Sequence, residues 1–145
     1  MSAKLRTNLP EKTSARYYCG ADVPFAVIKR FARQVAERFQ PDKIILFGSH
    51  AYGTPHVDSD VDILVVMPTL NQHDQAVAIR WEIPAPFAMN LIVRTPKNLS
   101  WRLAERESFH TEIVTKGRVL YQKSGSGMGA EGRSRLPRRP PARRR

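Results

Sequence analysis

A single cysteine, Cys19, leaves the chain unable to form an internal disulfide, so its cohesion has to come from a packed core. Long apolar runs are missing too, and none nears the roughly 20 residues that a membrane-crossing helix needs. The opening stretch MSAKLRTNLPEKTSARYY lacks the apolar segment of a secretory leader. These absences lead to the expectation of a cytoplasmic protein with no membrane contact, in which Cys19 is an ordinary free thiol. Acidic residues are scarce, 13 against 24 Lys and Arg, giving a formal net charge of +11. The imbalance is local. Residues 1–20 hold four Lys/Arg and one Glu, and residues 124–145 hold seven Arg and one Glu. That leaves 13 basic and 11 acidic residues in 21–123. The basicity therefore belongs to the ends, and the middle is close to neutral.

At 145 residues with 41% hydrophobic content, the chain has material for one domain. Its expected organisation is a flexible basic lead-in over 1–20, a domain over 21–123, and a disordered Gly/Ser/Pro/Arg-rich tail over 124–145. Such an Arg-rich tail has the chemistry for weak, salt-dependent nucleic-acid contact, and it also reads as a plain solvated extension. Within the domain, Ile28, Phe31, Ala32, Val35 and Phe39 follow helical spacing, with Asp22 and Pro24 before them and Pro41 after. KIILF (43–47) reads as a strand buried on both faces. DVDILVVM (60–67) and FAMNLIVRT (87–95) read as further strands, with a surface helix over 71–83 between them. KNLSWRLAERESFHTEIVTKG reads as one or two helices that turn Leu99, Leu103, Ile113 and Val114 inward and stop at Gly117. RVLY (118–121) is a candidate last strand. The order predicts an α/β (α+β) fold, a small mixed sheet packed with helices.

Two features flank the first two strands. Gly48-Ser49 ends the first, and if SHAYG makes a helical turn its free N–H groups suit phosphate. Asp60 and Asp62 sit at alternate positions where the second begins, so their side chains share one face around Val61. Two carboxylates so close repel and resist desolvation unless a cation lies between them, and hard oxygen ligands suit Mg²⁺ or Mn²⁺. The same pair also reads as a strand start whose carboxylates cap the loop or pair with Arg. His50 and Tyr52 read as helix-surface residues near the turn, with assistance at a bound phosphate as the other reading of each, and His56, Asp58 and Ser59 as loop residues.

Ten residues separate Ser49 from Asp60. The combination resembles the Gly-Ser-x10-Asp-x-Asp signature of the DNA polymerase β-like nucleotidyltransferase superfamily, in particular its minimal nucleotidyltransferase domains. The likeness runs over about 24–122, through KIILFGS, FAMNLIVRTPKNL and FHTEIVTKGRVLY. It implies the polymerase β-like fold and transfer of a nucleoside monophosphate, AMP from ATP or another NTP, with pyrophosphate leaving. Gly48 and Ser49 would bind the nucleotide, and Asp60 and Asp62 would be catalytic metal ligands for Mg²⁺ or Mn²⁺. The superfamily's third acid falls at Asn90, whose amide can ligate a metal but cannot take a proton; Glu82 is a poor substitute. The resemblance implies a protein acceptor such as a HEPN-type toxin partner, or else an inactive antitoxin that neutralises its partner by complexation.

Overall fold

The structure is a computed structural model that describes residues 17–124. The expected lead-in and tail lie largely outside the described residues. Near the start, Tyr18 bridges to Phe87, its N–H donating to Pro86 O at 2.8 Å, and Gly20–Asp22 make one 3-10 turn.

Helix α1 (Phe25–Phe39) buries Val27, Ile28, Phe31, Ala32, Val35 and Ala36, the stripe its i, i+3, i+4 spacing dictates. It stops at Gln40, which turns left-handed with φ 52°, and Pro41 follows. Strand β1 (Lys43–Phe47) leads into a four-residue helix, α2 (Ser49–Tyr52), and then a loop to strand β2 (Val61–Val66). Helix α3 (Gln72–Glu82), capped by Asn71 accepting from the Asp74 N–H, crosses over to strand β3 (Met89–Arg94). Two helices follow, α4 (Pro96–Ala104) and α5 (Ser108–Lys116), then strand β4 (Arg118–Gln122). Thr95 caps α4 and Pro96 occupies its first turn, where a missing N–H costs nothing.

The sheet order is β3-β2-β1-β4. β1 runs antiparallel to both its neighbours, and β2 pairs parallel with β3. Alternation divides the side chains between two covers. Ile44, Leu46, Val61, Ile63, Val65, Leu91 and Val93 meet α1 and α3 in a cluster of 19 buried residues. Ile45, Phe47, Leu64 and Val66 meet Ile113 in a cluster of five buried residues under α4 and α5, with the partly buried Ile92 and Leu99 packed against it. Each fully buried aliphatic or Phe side chain is worth roughly 1.5–3 kcal/mol, so the first face holds most of the apolar stabilisation. The second relies on polar contacts as well. Arg94 Nε donates to Nε2 of the buried His110 at 3.0 Å, which leaves Nδ1 to donate to Glu107 Oε1. Arg102 lies 3.9 Å from the same Glu107 oxygen.

The expected elements are present, with two local differences. Val114 is 39% exposed, because α5 turns Ile113 and His110 to the sheet and leaves Val114 to one side. Asp60 lies just outside the strand: the ladder starts at Val61, whose N–H donates to Ala88 O at 3.0 Å.

Candidate functional site

The end of β1 dictates the site. Gly48 has φ 76°, a backbone that glycine adopts freely and other residues do not. A Cβ there would lie 2.2 Å from Asp62 Oδ2, so glycine is needed for space as well as for conformation. The register places Phe47 opposite Asp62 and Asp62 beside Asn90, so all three project from the α4/α5 face of the sheet. Gly48 O accepts from the N–H groups of Ala51 and Tyr52 at 3.0 and 3.2 Å, closing α2 as a tight turn that starts at Ser49. The first N–H groups of a helix have no partner within it, and here they follow directly on Gly48.

Asp62 is half-buried, and burial pushes its carboxyl above the ordinary value; the charge of Asp60 pushes the same way. A hydrogen bond from Asn90 and the proximity of His50 oppose that shift. Asn90 Nδ2 donates to Asp62 Oδ1 at 2.9 Å. Asn90 thus serves here as a donor that steadies Asp62. Asp60 is exposed, close enough to repel Asp62 electrostatically.

Gly48, Ser49, Asp60, Asp62 and Asn90 therefore sit around one strand end. Among the described residues no three His, Cys, Asp or Glu side chains form a metal-binding group. The two aspartates fit a cation of the Mg²⁺ kind, which takes one or two carboxylates and fills its shell with water and phosphate oxygens. The repulsion between them, which adds to the upward push on the Asp62 carboxyl, is what such an ion would relieve.

The neighbouring residues differ in place. His50 Nε2 is buried without a hydrogen-bond partner, so the helix-surface reading of His50 does not hold for that atom. Tyr52 is 40% exposed, and its hydroxyl donates to Glu112 Oε2 at 3.4 Å. Burial, then the Glu112 carboxylate, push the Tyr52 phenol upward. Ser59 Oγ accepts from the His56 N–H at 2.8 Å, so His56 and Ser59 close the loop, and Asp58 is exposed. Glu82 is bound to Arg38 at 2.7 Å, under the other cover of the sheet. Sequence reasoning missed Glu112 and Phe109. The ring of Phe109 stands edge-on to Phe47 with centroids 5.8 Å apart, which holds α5 at the strand end. Phe109 and Glu112 lie at i and i+3 on α5, a spacing that places them on neighbouring parts of one helix face.

The described residues contain no helix long and apolar enough to cross a membrane. A family model described as a nucleotidyltransferase domain matches residues 28–120. A Methanocaldococcus jannaschii protein that carries the provisional name protein adenylyltransferase is 31% identical over 100 residues, 65% of this chain and 94% of that relative. A second protein of the same organism and the same provisional name is 36% identical over 58 residues, 37% of this chain and 59% of its own length. A crystal structure of a provisionally assigned nucleotidyltransferase from Sulfolobus solfataricus aligns with TM-score 0.45 and 19% identity, over 68% of this chain and 79% of that one. With the family model matching most of its length, around the Gly-Ser turn and both aspartates, the chain belongs to the nucleotidyltransferase domain family.

Proposed function

We propose that this chain transfers AMP from ATP, with Mg²⁺ or Mn²⁺, to a partner protein, and that 21–123 is the part that does so. The observation that carries the reading is the pair Asp60 and Asp62 beside a glycine that packs directly on Asp62. Asp60 and Asp62 would hold the metal, and Gly48 with Ser49 would hold the triphosphate. When bound, the metal neutralises charge that grows on the phosphorus oxygens and the leaving pyrophosphate. The provisional name of both relatives, protein adenylyltransferase, favours AMP as the group and protein as the acceptor. A HEPN-type toxin is the partner class we infer, and a cytoplasmic setting belongs to the same proposal.

One observation favours a second reading, a binding protein that neutralises its partner without chemistry. The Asn90 amide presents its N–H to Asp62 and supplies neither charge nor a proton acceptor. General-base assistance of about 10²–10⁴-fold would then be missing unless the acceptor is activated by another group. The test is incubation with Mg²⁺, α-labelled ATP and candidate protein acceptors. Label transfer by the native chain that disappears in Asp60→Ala/Asp62→Ala supports the transferase. A silent native chain with an active Asn90→Asp variant supports the second reading, and silence of both variants and the native chain overturns the first.

A further inference from the structure

Asp62 is fixed twice, by the strand register and by the Asn90 amide, and Asp60 is fixed by neither. Asp60 lies outside the ladder, and among the described residues its carboxylate has no hydrogen-bond or ion-pair partner. Its place is therefore set by the backbone on either side of it. On one side the Val61 N–H donates to Ala88 O at 3.0 Å. On the other side is a closed turn. His56 O accepts from the Ser59 N–H at 2.9 Å, and Ser59 Oγ accepts from the His56 N–H at 2.8 Å. Within the turn Ser59 is buried while His56, Val57 and Asp58 are exposed, so the other side chains give it little hold on the domain.

The backbone of that turn rests on Gly20, a buried residue with φ 51°. A Cβ at Gly20 would lie 2.0 Å from Val57 O, 2.5 Å from Val57 C and 2.9 Å from His56 O, so the two segments meet with no room for a side chain. Gly20 is itself tied down on both sides. The Asp22 N–H donates to Cys19 O at 2.9 Å, Val23 is buried in the core, and the Tyr18 N–H donates to Pro86 O at 2.8 Å. A side chain at Gly20 would thus displace the turn sooner than the segment beneath it. We propose that Gly20 is a positioning residue for the metal site: its bare backbone seats the His56–Ser59 turn, and that seat sets where Asp60 stands relative to Asp62. The proposal rests on the transferase reading above and deepens it, because it makes a residue ahead of the matched stretch 28–120 part of the site's support. An ion of the Mg²⁺ kind tolerates little departure from its preferred geometry, and Asn90 adds no charge to hold it, so the placement of the two carboxylates decides the affinity.

Electron paramagnetic resonance of free Mn²⁺, recorded as the ion is titrated into the full chain, tests this. Each variant is measured well below its own melting midpoint, so that all are folded. Gly20→Ala should weaken Mn²⁺ binding by about tenfold. Gly20→Asn separates space from conformation, because asparagine tolerates a left-handed backbone and still carries a Cβ; it should weaken binding as much. Ser59→Ala, which removes the acceptor of the His56 N–H, should weaken it as well, without any change at Gly20. Gly117→Ala crowds the backbone elsewhere, and it should lower the melting midpoint while Mn²⁺ affinity stays native. Native affinity in Gly20→Asn or in Ser59→Ala overturns the positioning role alone, provided that Asp60→Ala/Asp62→Ala abolishes binding. An equal loss in Gly117→Ala overturns it too, since affinity would then follow overall stability. Mn²⁺ binding that is absent from the native chain, or unchanged in Asp60→Ala/Asp62→Ala, overturns the metal site of the transferase reading and the role of Gly20 with it.

Discussion

At Asp62 the requirements of stability and of the site pull apart. A carboxyl whose folded pKa lies above its ordinary value costs stability wherever it is ionised, and the cost disappears below the unfolded value near 3.8. Burial and Asp60 impose that cost, and the Asn90 hydrogen bond offsets part of it. Asp62→Asn removes the charge and keeps the shape. It is expected to raise the melting midpoint at pH 7 by about 2–4 °C, and the gain should shrink as the pH approaches 4. The same variant should lose label transfer. Thermal melts at the two pH values decide the matter: an unchanged or lower midpoint at pH 7 means that the Asn90 bond outweighs burial. Gly48 and the two aspartates were legible as residues because their chemistry is unusual for their setting. The donor role of Asn90 was not, since sequence alone does not say which end of an amide faces a neighbour.

Among the elements, α5 buries a single apolar residue, Ile113, and is held by two specific devices as well. One is Gly117, where the chain leaves the helix against β1. A Cβ there would lie 2.4 Å from Ile113 O and 2.6 Å from Ile45 Cγ2, with φ unremarkable, so the constraint is space and not backbone conformation. Gly117→Ala should cost about 1–3 kcal/mol in denaturant unfolding; a neutral result would mean that α5 shifts freely. The other device is the Arg94–His110–Glu107 chain. The His110 hydrogen bond holds the Glu107 carboxyl below its ordinary value of 4.5, with the charge of Arg102 acting the same way. A depressed folded pKa gives stability that is present above the unfolded value and lost as the pH falls through the folded one. Hydrogen exchange across α5 should therefore quicken relative to α1 below about pH 4, and Glu107→Gln should produce that contrast at pH 7. Equal protection of the two helices in Glu107→Gln would dismiss the device. Apolar periodicity by itself marks α1 and strands β1, β2 and β3, because burial there is one-sided or complete. It misplaces Val114, because α5 is fixed partly by the buried polar His110, which no apolar pattern records.

At the scale of the whole molecule, charge and chemistry occupy different parts of the chain. The family match, the two aspartates and the sheet all lie within 21–123, where 13 basic residues face 11 acidic ones. Seven arginines and one glutamate lie in 124–145. Sequence composition could locate that segment, and the order β3-β2-β1-β4 could not be read from it, because strand order depends on long-range pairing that no local pattern encodes. If each arginine neutralises one phosphate, release of condensed cations makes binding fall steeply with salt, on the order of 10³-fold between 50 and 200 mM. The near-neutral middle has no comparable term. Deleting residues 124–145 is therefore expected to abolish retention of the chain on single-stranded RNA at low salt, while Mg²⁺-dependent label transfer to a protein acceptor continues at its former rate. A filter-binding titration at several salt concentrations, run beside the transfer assay, separates the two. Retention that survives the deletion with the same salt slope would place the nucleic-acid contact in the remaining chain. Transfer that fails with it would make the arginines part of acceptor recognition, a role suited to an acidic partner surface.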